Sequence, residues 1–212
     1  MYFLVYQVQE LIKEHHVNYV KWLSLLHRGY SVVCYGLGSK KTILQDFHDK
    51  HLMEKDCVVV NGFFPSLTLK DILSTITEDI LDNEGSFSTT EVHLEEIFSC
   101  LTEDLYLLIS NIDGHTLRSR KVQSSLASLA SHPMVHLVCT FDHINTPLLW
   151  DQELVSKFNF ICFDCTTFLP YTEETGGADS LMVRKTGQWE SLTSVWESLT
   201  PNAKHIYLIL AK

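Results

Sequence analysis

Positive charge is scarce in this chain of 212 residues: 16 Lys and Arg stand against 26 Asp and Glu, a formal net charge of −10. Non-specific affinity for nucleic acid comes mainly from neutralising phosphates, so a stand-alone DNA-binding protein is a poor fit. A subunit that gathers its basic residues on one face of a larger assembly is compatible with the same balance. No apolar run approaches the ~20 residues a membrane span needs. The opening Met1-Tyr2-Phe3-Leu4-Val5-Tyr6 is too short for a secretory signal and lacks its positive start. No G-x-S-x-G elbow, H-E-x-x-H helix or deaminase-type H-x-E with C-x-x-C occurs. The six cysteines form no zinc-ligand pattern, because Cys162-x-x-Cys165 has neither a second cysteine pair nor a histidine pair beside it. Four of them sit in or beside apolar runs and read as buried free thiols of a reducing compartment. No metal site is expected. Glu95-Glu96 and Glu173-Glu174 read as solvated faces, and Asp142-His143 has no serine to complete a triad.

What is present is an ordinary globular composition, 45% hydrophobic and 11% aromatic, which argues against disorder. Near-continuous apolar runs at 31–35, 57–61, 105–112, 135–141 and 160–164 read as strands buried on both faces. Helical patterns lie between them at 40–53, 68–82, 90–101, 117–131 and 147–157. Thr68 with Asp71 forms an Asp variant of the capping box at the start of the second. Strands separated by helices need crossovers, so the expected fold is α/β, a doubly wound, parallel, five-stranded sheet. Residues 7–28 read as one amphipathic helix stopped by Gly29, with Tyr19 and Trp22 on a face that packs on the chain's own sheet or on a partner. His15 and His16 are adjacent on it, point about 100° apart and read as solvent-side residues. The segment 170–200 reads as a connecting loop with a short strand at 181–184 and a short helix at 191–199. Thr200-Pro201 is a strong helix start, and the helix it opens runs to the end of the chain.

The first strand leads into Tyr35-Gly36-Leu37-Gly38-Ser39-Lys40-Lys41-Thr42, the layout of a strand feeding a phosphate-binding loop and a helix. With Lys41-Thr42 set on the end of G-x-x-x-x-G-K-[ST], Tyr35 and Lys40 replace both glycines of the pattern, while Gly36 and Gly38 stand between them. A phosphate cradle needs φ > 0 and close backbone approach, which glycine supplies cheaply. The loop is either a nucleotide site or a turn inherited from one, and the second reading is favoured. A P-loop ATPase also needs an acidic pair at the end of a second strand. The matching positions here are Ser110 and Asn111, with Asp113 beyond the metal position as a strand-end or capping residue. Where a polar sensor would face the γ-phosphate stands Asp142, which would repel it. Lys40 and Lys41 read as part of a solvated turn.

Five stretches occur together and in order: 35–40 (YGLGSK), 59–65 (VVNGFFP), 142–151 (DHINTPLLWD), 170–175 (PYTEET) and 198–203 (SLTPNA). With them the chain resembles the family of origin recognition complex subunit 2, over nearly its whole length from about residue 7. The resemblance implies an AAA+-like, P-loop NTPase-related domain with a degenerate nucleotide site. It implies a non-catalytic structural subunit of the nucleus that assembles with related subunits, subunit 3 nearest, on origin DNA and supports replicative helicase loading. Neither a cofactor nor a membrane partner is implied. Its division would be an N-terminal helix on the core (1–29), an AAA+-like core (30–169), connecting elements (170–200) and the start of a winged-helix domain (201–212). The alternative is a nucleotide-binding switch or weak ATPase, with Lys41 and Thr42 on the phosphates and Mg²⁺ and Asp113 assisting.

Overall fold

The computed structural model describes residues 10–83, 85 and 87–172, together with the backbone of 181–184. Among the described residues six strands form one sheet in the order β5-β1-β4-β3-β2-β6. They are β1 (Ser31–Tyr35), β2 (Asp56–Asn61), β3 (Leu105–Ser110), β4 (Val135–Thr140), β5 (Phe160–Asp164) and β6 (Leu181–Arg184). The first five run parallel, as crossover helices require. The expected sheet of five therefore gains an edge strand, β6, which pairs antiparallel with β2.

Side chains alternate between two cores, one on each face. Val33, Val58, Val60, Leu107, Ile109 and Leu137 meet α4 (Leu69–Thr75), α5 (Thr90–Cys100), α6 (Arg120–Ala130) and α7 (Gln152–Phe158). Val32, Cys34, Cys57, Tyr106, Leu108 and Val138 face α2 (Tyr19–Leu26) and α3 (Lys41–His51). Trp22 of α2 is fully buried there, edge-on to Phe47 and Phe163, so this helix covers its own sheet. Burying both faces explains why the central strands read as unbroken apolar runs. β5 lies at an edge and is only partly covered, which leaves Cys162 exposed, while Cys34, Cys57, Cys139 and Cys165 are buried free thiols, four as expected.

Several boundaries differ from expectation for local reasons. The helix expected over 7–28 is interrupted by a turn at Val17 and Asn18, giving α1 (residues 10–16) and α2. The break turns His15 inward, where its Nε2 lies 2.9 Å from the Thr166 carbonyl, while His16 pairs with Asp46 at 2.8 Å. Neither is a solvent-side residue. The capping box at Thr68 and Asp71 forms in both directions. The helix it opens widens into a π turn at Ile76–Ile80, where the Thr77 hydroxyl bonds back to the Leu73 and Ser74 carbonyls. β3 ends at Ser110 because Asn111 adopts a left-handed conformation, φ 54°. The elements expected at 191–199 and after Thr200 lie outside the described residues.

Candidate functional site

In an open parallel sheet, ligands bind beyond the carboxyl ends of the strands where the strand order reverses. Here β1 lies between β5 and β4, and the loop from Tyr35 to Lys40 leaves it at that end. Gly36 and Gly38 take φ of 125° and 96°. A Cβ on Gly36 would stand 2.4 Å from Thr166 Oγ1, and one on Gly38 would stand 2.5 Å from the Phe168 amide nitrogen. Glycine is required at both positions by conformation and by the close approach of the segment after β5.

That segment occupies the hydrogen-bonding groups of the loop. The Gly38 amide donates to the Tyr171 hydroxyl at 3.0 Å, and the Ser39 amide donates to the Leu169 carbonyl at 3.0 Å. The Thr167 and Phe168 amides donate to the Leu37 carbonyl, and the Thr167 hydroxyl donates to the Ser39 carbonyl at 2.7 Å. Tyr35, at the first glycine of the pattern, stacks on Phe141 and remains partly exposed at the loop's mouth.

The centre of the loop is filled by Lys40, which is only 1% exposed. Its ammonium donates to the Gly36 carbonyl at 2.8 Å and the Gly38 carbonyl at 3.0 Å, and it is ion-paired with Asp142. The expected solvated turn is thus, for Lys40, a buried and fully engaged cation. Carbonyls converge on a positive charge where a phosphate cradle would converge amides on a negative one. Lys40 is also the N-cap of α3, whose first turn has no acidic residue. A lysine there is disfavoured by the helix dipole, and folding the ammonium back onto carbonyls and a carboxylate relieves that.

Asp142 joins the loop to the second strand. One of its oxygens accepts from Lys40 and from the Tyr171 hydroxyl, and the other accepts from the Asn111 side-chain amide. The Asn111 backbone amide donates to the Thr140 hydroxyl at 2.9 Å. Asp113 Oδ2 accepts from the His143 amide at 3.0 Å and the Thr146 hydroxyl at 2.8 Å, tying down the turn that leads into the short 3₁₀ helix Thr146–Leu149. The structure therefore brings Gly36, Gly38, Lys40, Asn111 and Asp142 into one network, with Asp113 beside it. Ser110 is buried, with its carbonyl accepting from the Gly62 amide at 2.7 Å. Lys41 opens α3, and the Thr42 hydroxyl is buried without a hydrogen-bond partner. Sequence reasoning missed the Lys40–Asp142 pair and the part of Tyr171. The available signal was that two unusual charges of opposite sign replace the second glycine and the polar sensor.

Residues 7–165 match the family described as the origin recognition complex subunit 2 RecA-like domain. The chain belongs to the origin recognition complex subunit 2 family. It is 44% identical over 213 residues to origin recognition complex subunit 2 of Drosophila melanogaster, a match that covers 97% of this chain and 34% of the relative. It is 40% identical to the Homo sapiens subunit 2 over 212 residues, 97% of this chain and 37% of that protein. The chain thus spans about a third of the length of these curated relatives. Among solved structures it is similar to a chain of Drosophila ORC bound to AT-rich DNA and Cdc6. The TM-score is 0.77 at 42% identity, with 96% of this chain and 69% of that one covered. A chain of Drosophila ORC bound to DNA gives 0.76 at 45% identity, with 80% and 99% covered. Cdc6p from Pyrobaculum aerophilum shares the fold alone, at TM-score 0.52 and 16% identity over 73% of this chain and 44% of that one. In this chain the RecA-like domain carries its own cation at the centre of the loop after β1.

Proposed function

We propose that this chain is a non-catalytic structural subunit of the origin recognition complex. It assembles in the nucleus with related subunits, subunit 3 nearest, on origin DNA, and supports replicative helicase loading. The observation that carries the non-catalytic part is the buried Lys40 ammonium on the Gly36 and Gly38 carbonyls, held by Asp142. A nucleotide phosphate entering this loop would have to displace a paired cation and reverse the polarity of the lining. The uncharged Ser110 and Asn111 at the end of β3 agree with it, since neither supplies the carboxylate that holds Mg²⁺ through water or acts as a base in a P-loop ATPase. The family membership and the similarity to chains of DNA-bound Drosophila complexes support the assembly part.

A second reading, a nucleotide-binding switch, is favoured by one observation. The Thr42 hydroxyl is buried and unpartnered at the position where a P-loop hydroxyl would meet Mg²⁺. Reconstitution with the remaining subunits separates the two. The structural reading expects Lys41→Ala to leave both co-purification and ATP turnover of the complex unchanged. A loss of turnover would overturn it.

A further inference from the structure

At the opposite end of the sheet, far from the loop, three residues distant in sequence converge. His27 follows the last turn of α2, Asp104 immediately precedes β3, and His136 is the second residue of β4. Each offers one ligand atom, and the three atoms lie within 4.8 Å of one another. The tautomers follow from what the other ring nitrogens touch. His27 Nδ1 is 2.7 Å from the Leu23 carbonyl and His136 Nδ1 is 3.1 Å from the Leu26 carbonyl. A carbonyl only accepts, so both Nδ1 atoms carry a proton, and Nε2 is the atom each ring turns toward the cluster, where it can ligate through its lone pair. Carbonyls of the last turn of α2 thereby play the outer-shell part that fixes metal-binding imidazoles.

The second observation is His136 itself. It is 3% exposed, and its Nε2 makes no hydrogen bond although Asp104 Oδ1 lies 3.2 Å away. An imidazole nitrogen and a carboxylate oxygen at that distance need a proton or a metal ion between them. The Tyr106 hydroxyl lies 3.2 Å from His27 Nε2, a contact that a metal ion bound at that nitrogen would replace. Ligands around a tetrahedral zinc ion with bonds of about 2.0–2.1 Å sit about 3.4 Å apart, a spacing these three atoms reach with small movements. Asp104 also stands on the wall of a cavity of about 510 Å³ lined by Asp56, Asp82 and Glu103, whose charge attracts cations to this end of the sheet.

From this geometry we infer that His27, Asp104 and His136 form a divalent transition-metal site, suited to Zn²⁺ with water in the fourth position, that staples α2 onto β3 and β4. Two imidazoles and a carboxylate match zinc's preferred donors, and the exposed side of His27 leaves room for the water. The expectation of no metal site rested on cysteine spacing, and this site uses no cysteine.

The test is calorimetric titration of ZnCl₂ into the metal-stripped full chain, repeated for His27→Ala, Asp104→Ala and Cys162→Ser. Circular dichroism checks that each variant is folded. The inference expects one ion per chain, affinity at least about tenfold weaker in His27→Ala and Asp104→Ala, and no change in Cys162→Ser. A Co²⁺-loaded chain should absorb in the visible without a thiolate charge-transfer band. No saturable binding would overturn the inference and leave an imidazolium–carboxylate pair at His136. Binding that survives His27→Ala, or that is lost in Cys162→Ser, would overturn it equally.

Discussion

Lys40 and Asp142 are ion-paired across 102 positions of sequence, one at the start of α3 and the other just past β4. Lysine replaces a glycine of the phosphate loop, and aspartate stands where a sensor would face phosphate. Each substitution alone would be costly: a buried ammonium in one case, a carboxylate beside a phosphate site in the other. Together they neutralise each other, and Asn111 and Tyr171 hold the carboxylate in place.

Removing one partner strands the other. Lys40→Met should destabilise the domain by about 2–4 kcal/mol in urea unfolding, because Asp142 and two loop carbonyls lose their cation. Lys40→Met/Asp142→Leu should cost less than the sum of the two single changes by roughly 1–3 kcal/mol. Additive effects would show that the pair contributes nothing specific.

Gly38→Ala places a Cβ at φ 96° and 2.5 Å from the Phe168 amide nitrogen. Strain of this kind costs roughly 1–3 kcal/mol. A melting temperature equal to that of the unaltered chain would mean the loop is not held against the segment after β5.

How much of this was legible in sequence depends on how local the determinant was. β1 and β5 fall where their apolar runs stand, and β2, β3 and β4 start or stop within two residues of theirs. Strands buried on both faces can hardly read otherwise. The Thr68–Asp71 cap was legible because all its partners lie within four residues. The break at Val17 and Asn18 was not, since the apolar spacing continues across it and only packing against Thr166 turns His15 inward. Nor was the fate of Lys40, because its partner Asp142 arrives from another strand.

Thr68→Ala removes the acceptor for the Asp71 amide at the start of α4. The expected loss is about 1 kcal/mol in chemical denaturation. Thr68→Asp should largely restore it, and a failure of both would mean the cap is redundant.

Acidification from neutral pH should weaken the fold. Burial lowers the pKa of His93 below its ordinary 6.5, with Lys70 adding to the effect and Glu78 opposing it. Burial lowers that of His132 as well. In each case the folded state holds the imidazole neutral, while the unfolded chain takes up a proton below pH 6.5. This stability is therefore complete above 6.5 and is lost as pH falls from there through the folded pKa. Melting temperatures measured from pH 7.5 down to about 5.5 should fall. His93→Gln, which can keep a donor toward Thr77, should flatten the slope. An unchanged slope would remove His93 from the account.

The central claim is that the loop after β1 is closed by the chain's own lysine, and calorimetric titration of Mg-ATP into the purified chain tests it most directly. Protein concentrations should be high enough to detect dissociation constants of about tens of micromolar, near −6 kcal/mol. The predicted result is no saturable heat, with Lys41→Ala indistinguishable from the unaltered chain. Saturable binding that disappears in Lys41→Ala would contradict it, and the Lys40–Asp142 pair would then be a latch that nucleotide opens.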